Sequence, residues 1–261
     1  MTVVAALTDP NQFFDFELVD IQDLTHNTKR FTFKLPEGAT HLGLPTASAV
    51  VTKFDVEGGE PIIRPYTPVE DPAKGVTGTF DLIVKKYPNG PSSTRYFELK
   101  KGDKIALKGL IPKYQYQPNK DKEIALLAGG TGITPILQVL QRALSTETDD
   151  TKFTLVFGNV SEQDIILKDY LDELAAAHKD RLTVHYIIDQ ASEGWNGYVG
   201  YITTDILTAV LPKPGQGKVF ISGPNAFLGS VSGLKGPNFT QGEVGGLLEK
   251  LGYTSADVYK F

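Results

Sequence analysis

A glycine-rich motif, Gly129-Gly130-Thr131-Gly132-Ile133-Thr134-Pro135, is the feature that most restricts the fold. It follows an apolar, strand-like run, 124–128, and precedes a helix-like run, 136–144. Glycine permits a tight turn and a close approach of backbone to phosphate, and the first turn of a helix favours negative charge. The motif therefore predicts a phosphate-binding turn before a helix that Thr134 caps and Pro135 begins. A plain strand-to-helix turn is the alternative, because proline replaces the third glycine of the G-x-G-x-x-G fingerprint.

Length and composition allow two globular domains. The chain has 261 residues, 41% of them hydrophobic, and a formal net charge of −5, which argues against a general nucleic-acid-binding protein. No apolar run reaches the ~20 residues of a membrane-spanning helix, so we expect a soluble domain, with any N-terminal anchor or leader missing. The lack of cysteine excludes disulfides and thiolate metal sites, and the four histidines lack metal-ligand spacing, so no metal site is predicted. Asp149 and Asp150 are predicted to lie in a solvated loop.

The hydrophobic pattern changes its period along the chain. In residues 1–110, apolar residues alternate between turn signals, which predicts an antiparallel β-barrel with one short helix over 93–99. The polar segment 111–122 contains two prolines and is interpreted as a linker. From 123 to 261, strands alternate with helices, which predicts a parallel sheet with helices on both faces. The predicted strands there are 124–127, 153–157, 182–188 and 219–222, and the predicted helices are 136–144, 167–178, 204–211 and one within 242–251.

Several further segments accompany the glycine motif in a fixed order. They are 26–31 (HNTKRF), 64–68 (RPYTP), 159–167 (NVSEQDIIL), Gly194-Trp195 with Gly197 and Gly200, 222–224 (SGP) and 258–261 (VYKF). Together they resemble the NADH–cytochrome b5 reductase family of the ferredoxin reductase group, over essentially the whole chain. The likeness is greatest to the fungal mitochondrial form. It implies an FAD-binding β-barrel over 1–110, an NADH-binding α/β domain over 123–261, and a mitochondrial location in the intermembrane space or outer membrane.

The resemblance implies that the first domain holds FAD. Arg64 is expected to pair with the FAD pyrophosphate through its donor fork, Tyr66 to pack against the isoalloxazine, and Thr67 to lie beside flavin N5 as a catalytic residue. Gly90 and Ser93 are expected to offer donors to the phosphates, and Lys85 to attract the anionic nucleotide. The other expected FAD contacts are Pro65, Tyr87 and Ser92, where Ser92 departs from the family's apolar residue. On composition alone, segment 64–68 is a kinked edge strand, and Lys85 and Tyr87 are outward-facing strand residues.

The resemblance also assigns NADH to the second domain. Gly130, Thr131 and Gly132, with Thr134 in the same turn, are expected to contact its nicotinamide half. Asp164 is expected to accept hydrogen bonds from the adenosine ribose and to repel a 2′-phosphate, or alternatively to be a helix-start carboxylate. The remaining expected contacts lie near the nicotinamide and flavin: Gly223, Pro224, the terminal Phe261, which could instead be an ordinary packed aromatic, and Ser222, a second catalytic candidate that replaces the family's usual cysteine.

The function implied by the resemblance is an FAD-dependent oxidoreductase that takes hydride from NADH and passes single electrons to cytochrome b5. One alternative is a reductase of the same fold that uses NAD(P)H and serves a ferredoxin-like protein or a quinone. Another is a non-catalytic flavin or nucleotide sensor. We expect a monomer whose partner is cytochrome b5 or another haem protein, with no nucleic acid. Lysines that could form a basic docking surface, or could be dispersed charges, are Lys29, Lys85, Lys113 and Lys122.

Overall fold

The computed structural model describes residues 5–69 and 78–261 and divides the chain into two compact units. Unit 1 comprises Met1–Tyr116 and Leu137–Gln141, and unit 2 comprises Gln117–Ile136 and Arg142–Phe261. Parts of the predicted FAD domain, residues 1–4 and 70–77, lie outside the described ranges. Within those ranges, no helix combines the length and apolar character needed to cross a bilayer.

A seven-stranded antiparallel sheet forms the framework of unit 1, as the alternating pattern predicts. Its strands are β1 (Phe14–Thr25), β2 (Thr28–Lys34), β3 (Ser48–Phe54), β4 (Ile62–Tyr66), β5 (Pro68–Val69), β6 (Thr79–Lys85) and β7 (Lys104–Pro112). Their order across the sheet is β4-β3-β7-β1-β2-β6-β5. β7 extends to Pro112 and so includes the first two residues of the segment interpreted as a linker.

The two outermost strands of this sheet are consecutive in the chain. β4 and β5 lie at opposite ends of the strand order, yet only Thr67 separates them. In a flat sheet of seven strands the edges are roughly 29 Å apart, at about 4.8 Å per neighbouring strand, whereas one residue spans at most about 3.6 Å. The sheet therefore closes into a barrel-like form. Pro65 and Pro68 lie in these outermost strands, where the absence of a backbone N–H is tolerated.

The predicted short helix is confirmed as α1 (Pro91–Glu98), with proline at its first position, where the missing N–H costs nothing. Its fully buried Tyr96 ring packs against three aromatic rings of the sheet, those of Phe31, Phe54 and Tyr66, at centroid distances of 5.3, 5.0 and 4.9 Å. The helix is thus fixed to the strand that carries the Arg64 motif.

A six-stranded parallel sheet follows, as the alternation of strands and helices predicts. Each predicted strand and helix is present; the additional strands β11 and β13 and the additional α-helix α5 are at most seven residues long. The strands are β8 (Glu123–Gly129), β9 (Lys152–Ser161), β10 (Leu182–Gln190), β11 (Tyr198–Val199), β12 (Lys218–Ser222) and β13 (Val258–Lys260). The helices are α2 (Ile133–Leu144), α3 (Lys168–Ala177), α4 (Thr204–Val210), α5 (Asn225–Val231) and α6 (Gly246–Lys250).

The strand order of this sheet is β11-β10-β9-β8-β12-β13. The chain leaves β8 for β9 on one side and later returns to place β12 on the other. The order therefore reverses between β8 and β12, and ligands of open α/β sheets bind at the carboxyl ends of the strands at such a point. The glycine motif and residues 222–224 follow these two strands.

The prediction that Asp149 is solvated is wrong, although Asp150 is exposed. Asp149 is 1% exposed and accepts hydrogen bonds from the backbone N–H groups of Asn119 and Thr151, at 3.3 and 3.0 Å. A guanidinium nitrogen of Arg181 lies 3.8 Å from the same carboxylate. The carboxylate is buried because it satisfies backbone donors from two separate segments, which local sequence does not reveal.

Candidate functional site

The glycine motif forms the turn between β8 and α2. Gly130–Gly132 is a single 3-10 turn in which Gly130 has a φ of 52°, and α2 begins directly afterwards at Ile133. The predictions that Thr134 caps α2 and that Pro135 begins it are therefore wrong, because the helix starts earlier. The Thr134 hydroxyl instead donates to the Thr131 carbonyl, at 3.1 Å, inside the turn.

Backbone contact brings this turn against the end of β12. A Cβ atom on Gly132 would overlap the Ser222 carbonyl, and one on Gly223 would lie 2.7 Å from the Phe227 ring. Only glycine allows this approach. The structure therefore gathers Gly130, Thr131, Gly132, Ser222 and Gly223 at the carboxyl edge of β8 and β12, where the strand order reverses.

Ser222 and Phe261 lie on neighbouring strand ends. Ser222 is 8% exposed and pairs with Ala128 in the ladder between β12 and β8. The Phe261 N–H donates to the Ile221 carbonyl at 2.9 Å, so the chain terminus lies beside the end of β12. Its ring packs edge-on against Phe220 and Tyr259, at 6.0 and 5.2 Å. Pro224 is the residue before α5.

Asp164 lies in a 3-10 turn, Glu162–Asp164, directly after β9. It is 7% exposed, and its carboxylate accepts a hydrogen bond from the Ser161 hydroxyl at 2.7 Å. Asp164 is not part of the first turn of α3, where Asp169 is the acidic residue. The carboxylate is therefore oriented by the turn after β9 and not by a helix start.

A recess of about 640 Å³ beside this turn was not predicted from the sequence. Burial raises the pKa of the Tyr186 phenol and lowers that of His185, both in its wall. The Tyr186 hydroxyl donates to Asp172 at 2.7 Å. The sequence feature that could have indicated this recess is the Gly194-Trp195 segment, which is part of the family resemblance but has no predicted role. The lining residues are Glu162, Lys168, Val184, His185, Tyr186, Gly194, Trp195, Asn196, Gly197 and Tyr198.

A second candidate site lies in unit 1, where the Arg64 motif meets the start of α1. The Tyr66 hydroxyl donates to the Ser92 hydroxyl at 3.0 Å, and burial raises the pKa of Tyr66. Arg64 is exposed, and its guanidinium donates to the Ile63 carbonyl at 2.7 Å. Within residues 5–69 and 78–261, no carboxylate pairs with it. Its remaining guanidinium donors are therefore available to an anion, which is the role that the resemblance implies.

Helix α1 presents backbone donors at its start. The Ser93 hydroxyl donates to the Gly90 carbonyl at 3.0 Å and accepts from the Tyr87 N–H at 3.2 Å, so its proton is used within the turn. The first N–H groups of a helix have no partner inside the helix, and here they belong to Ser92 and Ser93. A Cβ on Gly90 would overlap the Ser93 hydroxyl, so this turn requires glycine. These features suit a phosphate group.

The other expected FAD contacts lie next to these groups in the chain. Pro65 is exposed in β4, and Thr67 is half-buried between β4 and β5. Lys85 is the half-buried last residue of β6, and Tyr87, at 44% exposure, follows it in the turn before α1. Unit 1 thus has an exposed guanidinium, helix-start donors and aromatic rings in the segments around α1, which are groups of the kinds that can bind phosphates and aromatic ring systems.

The four candidate docking lysines do not share one environment. Lys29 lies 5.3 Å from the centroid of Phe97 and pairs with Asp23, while its neighbour Lys86, which was not predicted, lies 5.4 Å from the same ring. Lys113 is half-buried, and burial lowers the pKa of its ammonium. Lys122 is exposed but belongs to unit 2, and Lys85 belongs with Lys29 in unit 1.

Comparison with known proteins identifies both halves of the chain. Residues 15–116 match the family model of the oxidoreductase FAD-binding domain, and residues 126–233 match that of the oxidoreductase NAD-binding domain. NADH-cytochrome b5 reductase 2 of Pyricularia oryzae is 45% identical over 98% of this chain and 78% of the relative. The protein of the same name from Yarrowia lipolytica is 43% identical over 98% of this chain and 88% of the relative.

Solved structures confirm the predicted fold class. The cytochrome b5 reductase domain of Ulva prolifera nitrate reductase superimposes with a TM-score of 0.82 and 29% identity, covering 99% of this chain and 100% of that one. A ferredoxin NADP+ reductase from Neisseria gonorrhoeae has a TM-score of 0.73 at 17% identity, over 95% of this chain and 98% of that one. The latter shares the fold alone.

Substituting Gly132 tests the close approach of the glycine turn to β12. We expect Gly132→Ala to lower the free energy of unfolding by about 1–3 kcal/mol, because the added methyl forces the turn away from the Ser222 carbonyl. Gly130→Ala is the matched control, because a Cβ there meets nothing within 4 Å and only the positive φ is unfavourable; its expected cost is about 1 kcal/mol. Urea unfolding measures both, and a Gly132 variant no less stable than the Gly130 variant would contradict the proposed packing.

Proposed function

The chain belongs to the NADH-cytochrome b5 reductase family, and we propose that it is an FAD-dependent enzyme that takes a hydride from NADH and passes single electrons to cytochrome b5. The observation that carries this proposal is the match of an FAD-binding and an NAD-binding oxidoreductase domain in series. In the FAD-matched region, N–H groups at the start of α1 lie beside Gly90, and in the NAD-matched region Gly132 packs against the Ser222 carbonyl; a Cβ atom at either glycine would clash.

The first domain is proposed to hold FAD, which when bound supplies the chemistry of accepting a hydride and releasing electrons one at a time. Arg64 and the N–H groups of Ser92 and Ser93 bind the pyrophosphate. Tyr66, held by its hydrogen bond to Ser92, packs against the flavin ring, and Thr67 offers a donor to the ring nitrogen N5. No side-chain acid or base is needed for hydride transfer, so these residues bind and orient.

The second domain is proposed to bind NADH along the carboxyl edge of the parallel sheet. The nicotinamide half lies at Gly130, Thr131, Gly132 and Ser222, where the strand order reverses. Asp164 accepts hydrogen bonds from the adenosine ribose. The recess beside the Glu162–Asp164 turn receives the adenine, because aromatic rings such as Tyr186 and Trp195 form part of its wall.

The finer assignments are supported by the sequence resemblance. We propose the domain limits 1–110 and 123–261 with a linker at 111–122, a monomer, and a mitochondrial location in the intermembrane space or outer membrane. Subcellular fractionation tests the location, and sedimentation at several concentrations tests the monomer. The other expected contacts, Pro65, Lys85, Tyr87, Gly90, Thr134, Gly223, Pro224 and Phe261, line these two sites in the proposal.

An anaerobic titration tests the function directly. We expect NADH to bleach the absorbance of the FAD-loaded protein, and oxidised cytochrome b5 to restore it by accepting electrons. A nucleotide sensor would bind NADH without rapid bleaching. A reductase with another acceptor would bleach but would transfer electrons faster to a ferredoxin-like protein or a quinone than to cytochrome b5.

Removing the Arg64 guanidinium tests the FAD site. We expect Arg64→Ala to weaken FAD binding by about 1.5–3 kcal/mol, because a charge-assisted hydrogen bond to the pyrophosphate is lost. Titration of the apoprotein with FAD, followed by flavin fluorescence, measures the affinity. Arg142→Ala, which removes an exposed arginine from α2, is the control and should bind FAD as the wild type does. Equal affinities for all three proteins would remove Arg64 from the site.

Asp164 is predicted to set the preference for NADH over NADPH. Asp164→Ser should narrow this preference, because it relieves repulsion between the carboxylate and a 2′-phosphate. The measurement is kcat/KM for each nucleotide. Asp169→Ser is the matched control, since Asp169 is an exposed carboxylate in the first turn of α3. If both variants keep the wild-type ratio of kcat/KM for NADH to kcat/KM for NADPH, another residue contacts the ribose.

Electron delivery to cytochrome b5 is predicted to depend on the surface where the ammonium groups of Lys29 and Lys86 lie over the Phe97 ring. Attraction between oppositely charged patches weakens once the screening length falls to about 10 Å, near 0.1 M salt. Cytochrome b5 reduction should therefore slow with salt more than reduction of a neutral quinone. Lys86→Gln should lessen that salt dependence, whereas the exposed Lys179→Gln should preserve it. Identical salt profiles for the protein acceptor and the quinone would exclude electrostatic docking.

A further inference from the structure

A buried lysine near the chain terminus has no role in the function described above. Lys260 is 1% exposed, and its ammonium donates to the carbonyls of Leu234 and Glu243, at 3.1 and 2.6 Å. In the part of the chain that the structure describes, no carboxylate pairs with this ammonium. Burial lowers its pKa. Burying an ammonium group costs free energy unless the group is hydrogen-bonded. The folded state therefore requires the two carbonyls to stay in their positions beside Lys260.

The backbone of Lys260 is fixed from the same segment. Gln241 accepts the Lys260 N–H with its side-chain oxygen at 2.6 Å and donates its amide to the Lys260 carbonyl at 3.0 Å. β13 is the outermost strand of its sheet, so its outward backbone groups have no further strand to pair with. The Gln241 side chain takes the place of that missing strand. Together, the Lys260 ammonium and the Gln241 amide form what we call the Lys260 clamp.

The clamped segment has an unfavourable backbone conformation. Asn238 and Phe239 have φ angles of 54° and 60°, and Phe239 is 74% exposed. A left-handed conformation at two consecutive non-glycine residues costs free energy and persists only where surrounding contacts enforce it. The clamp provides such contacts at both ends of the segment, through the carbonyls of Leu234 and Glu243.

The clamp is continuous with the carboxyl edge where the strand order reverses. Lys260 pairs with Ile221, and the next residue, Phe261, donates its N–H to the Ile221 carbonyl at 2.9 Å. Ile221 precedes Ser222, whose carbonyl packs against Gly132. A shift of β13 would therefore move Phe261 relative to Ser222 and the glycine turn.

We propose that Lys260 and Gln241 are positioning residues that hold the nicotinamide end of the NADH site, through Phe261 and the end of β12. This inference rests on the proposed function. The adenosine end lies after β9, which β8 and β12 separate from the clamped strand β13, so β13 is not a neighbour of β9 in this sheet. Loss of the clamp should therefore impair hydride transfer from bound NADH and spare the binding of a ligand that lacks nicotinamide.

The test compares Lys260→Met and Gln241→Ala with the wild type, each loaded with FAD. Lys250→Met is the matched control, because Lys250 is exposed at the end of α6. Stopped-flow absorbance gives the limiting rate of flavin reduction at saturating NADH, and calorimetry gives the affinity for ADP-ribose. We expect the limiting rate to fall by about tenfold or more in both clamp variants, since small misplacements of a reacting group are costly. ADP-ribose affinity should change by less than about twofold, and Lys260→Arg, which keeps the donors, should restore part of the rate.

Carboxypeptidase release of Phe261 provides a readout that is independent of NADH. It should be faster in both clamp variants than in the wild type and the Lys250 control. A lower melting temperature with an unchanged limiting rate would overturn the proposal by reducing the clamp to a stabilising contact. An equal loss of ADP-ribose affinity would overturn it by showing general disruption. If Lys260→Met does not fold, the same outcomes for Gln241→Ala decide. A wild-type flavin that NADH does not reduce would refute the proposed function, while the Phe261 release rates still test the clamp.

Discussion

Closure of the unit 1 sheet at Thr67 is the constraint on which the proposed FAD site depends. One residue joins the two outermost of seven strands, so the sheet cannot stay flat. Closure puts the Arg64 motif on an outermost strand, where a guanidinium can be exposed and where proline is tolerated. It also brings Tyr66 to Ser92 at the start of α1, 26 residues further along the chain. The groups proposed to bind the FAD phosphates and ring system meet because the barrel-like form is closed there.

In unit 2, the candidate site depends on glycine residues, because they have no side chain to obstruct close backbone packing. The glycine turn packs against the carbonyl of Ser222, and a Cβ atom at Gly132 would overlap that carbonyl. Gly130 adopts a φ of 52° in this turn, and the turn lies at the edge where the strand order reverses. Each unit thus has a turn that requires glycine, and in unit 1 this turn lies beside the free N–H groups at the start of α1, an arrangement suited to phosphate. This common feature explains how two different sheets can both serve nucleotides.

The Lys260 clamp shows how an outermost strand can be stabilised without another strand. The Gln241 side chain accepts one hydrogen bond from the Lys260 backbone and donates another to it, as a neighbouring strand would. The buried Lys260 ammonium holds the carbonyls of the adjoining segment. A charge buried in this way can occupy few other positions, because any displacement of the ammonium removes its hydrogen-bond partners. Such a device suits a strand whose last residue must stay in register beside a ligand site.

Local patterns in the sequence determined the strands, most helices and the glycine turn, because side-chain period and glycine torsions act over a few residues. The motifs and the family resemblance also point to residues such as Arg64 and Ser222. Contacts between distant segments depended on tertiary structure. The start of α2 before Thr134, the use of the Ser93 proton inside its turn, the burial of Asp149 and the clamp on Lys260 each follow from partners or backbone geometry that composition does not specify. Hydrogen bonds join Asn119 to Asp149 and Gln241 to Lys260 across 30 and 19 residues. Only the folded chain decides such pairings, because the cost of leaving a polar group unpaired arises once the chain has buried it.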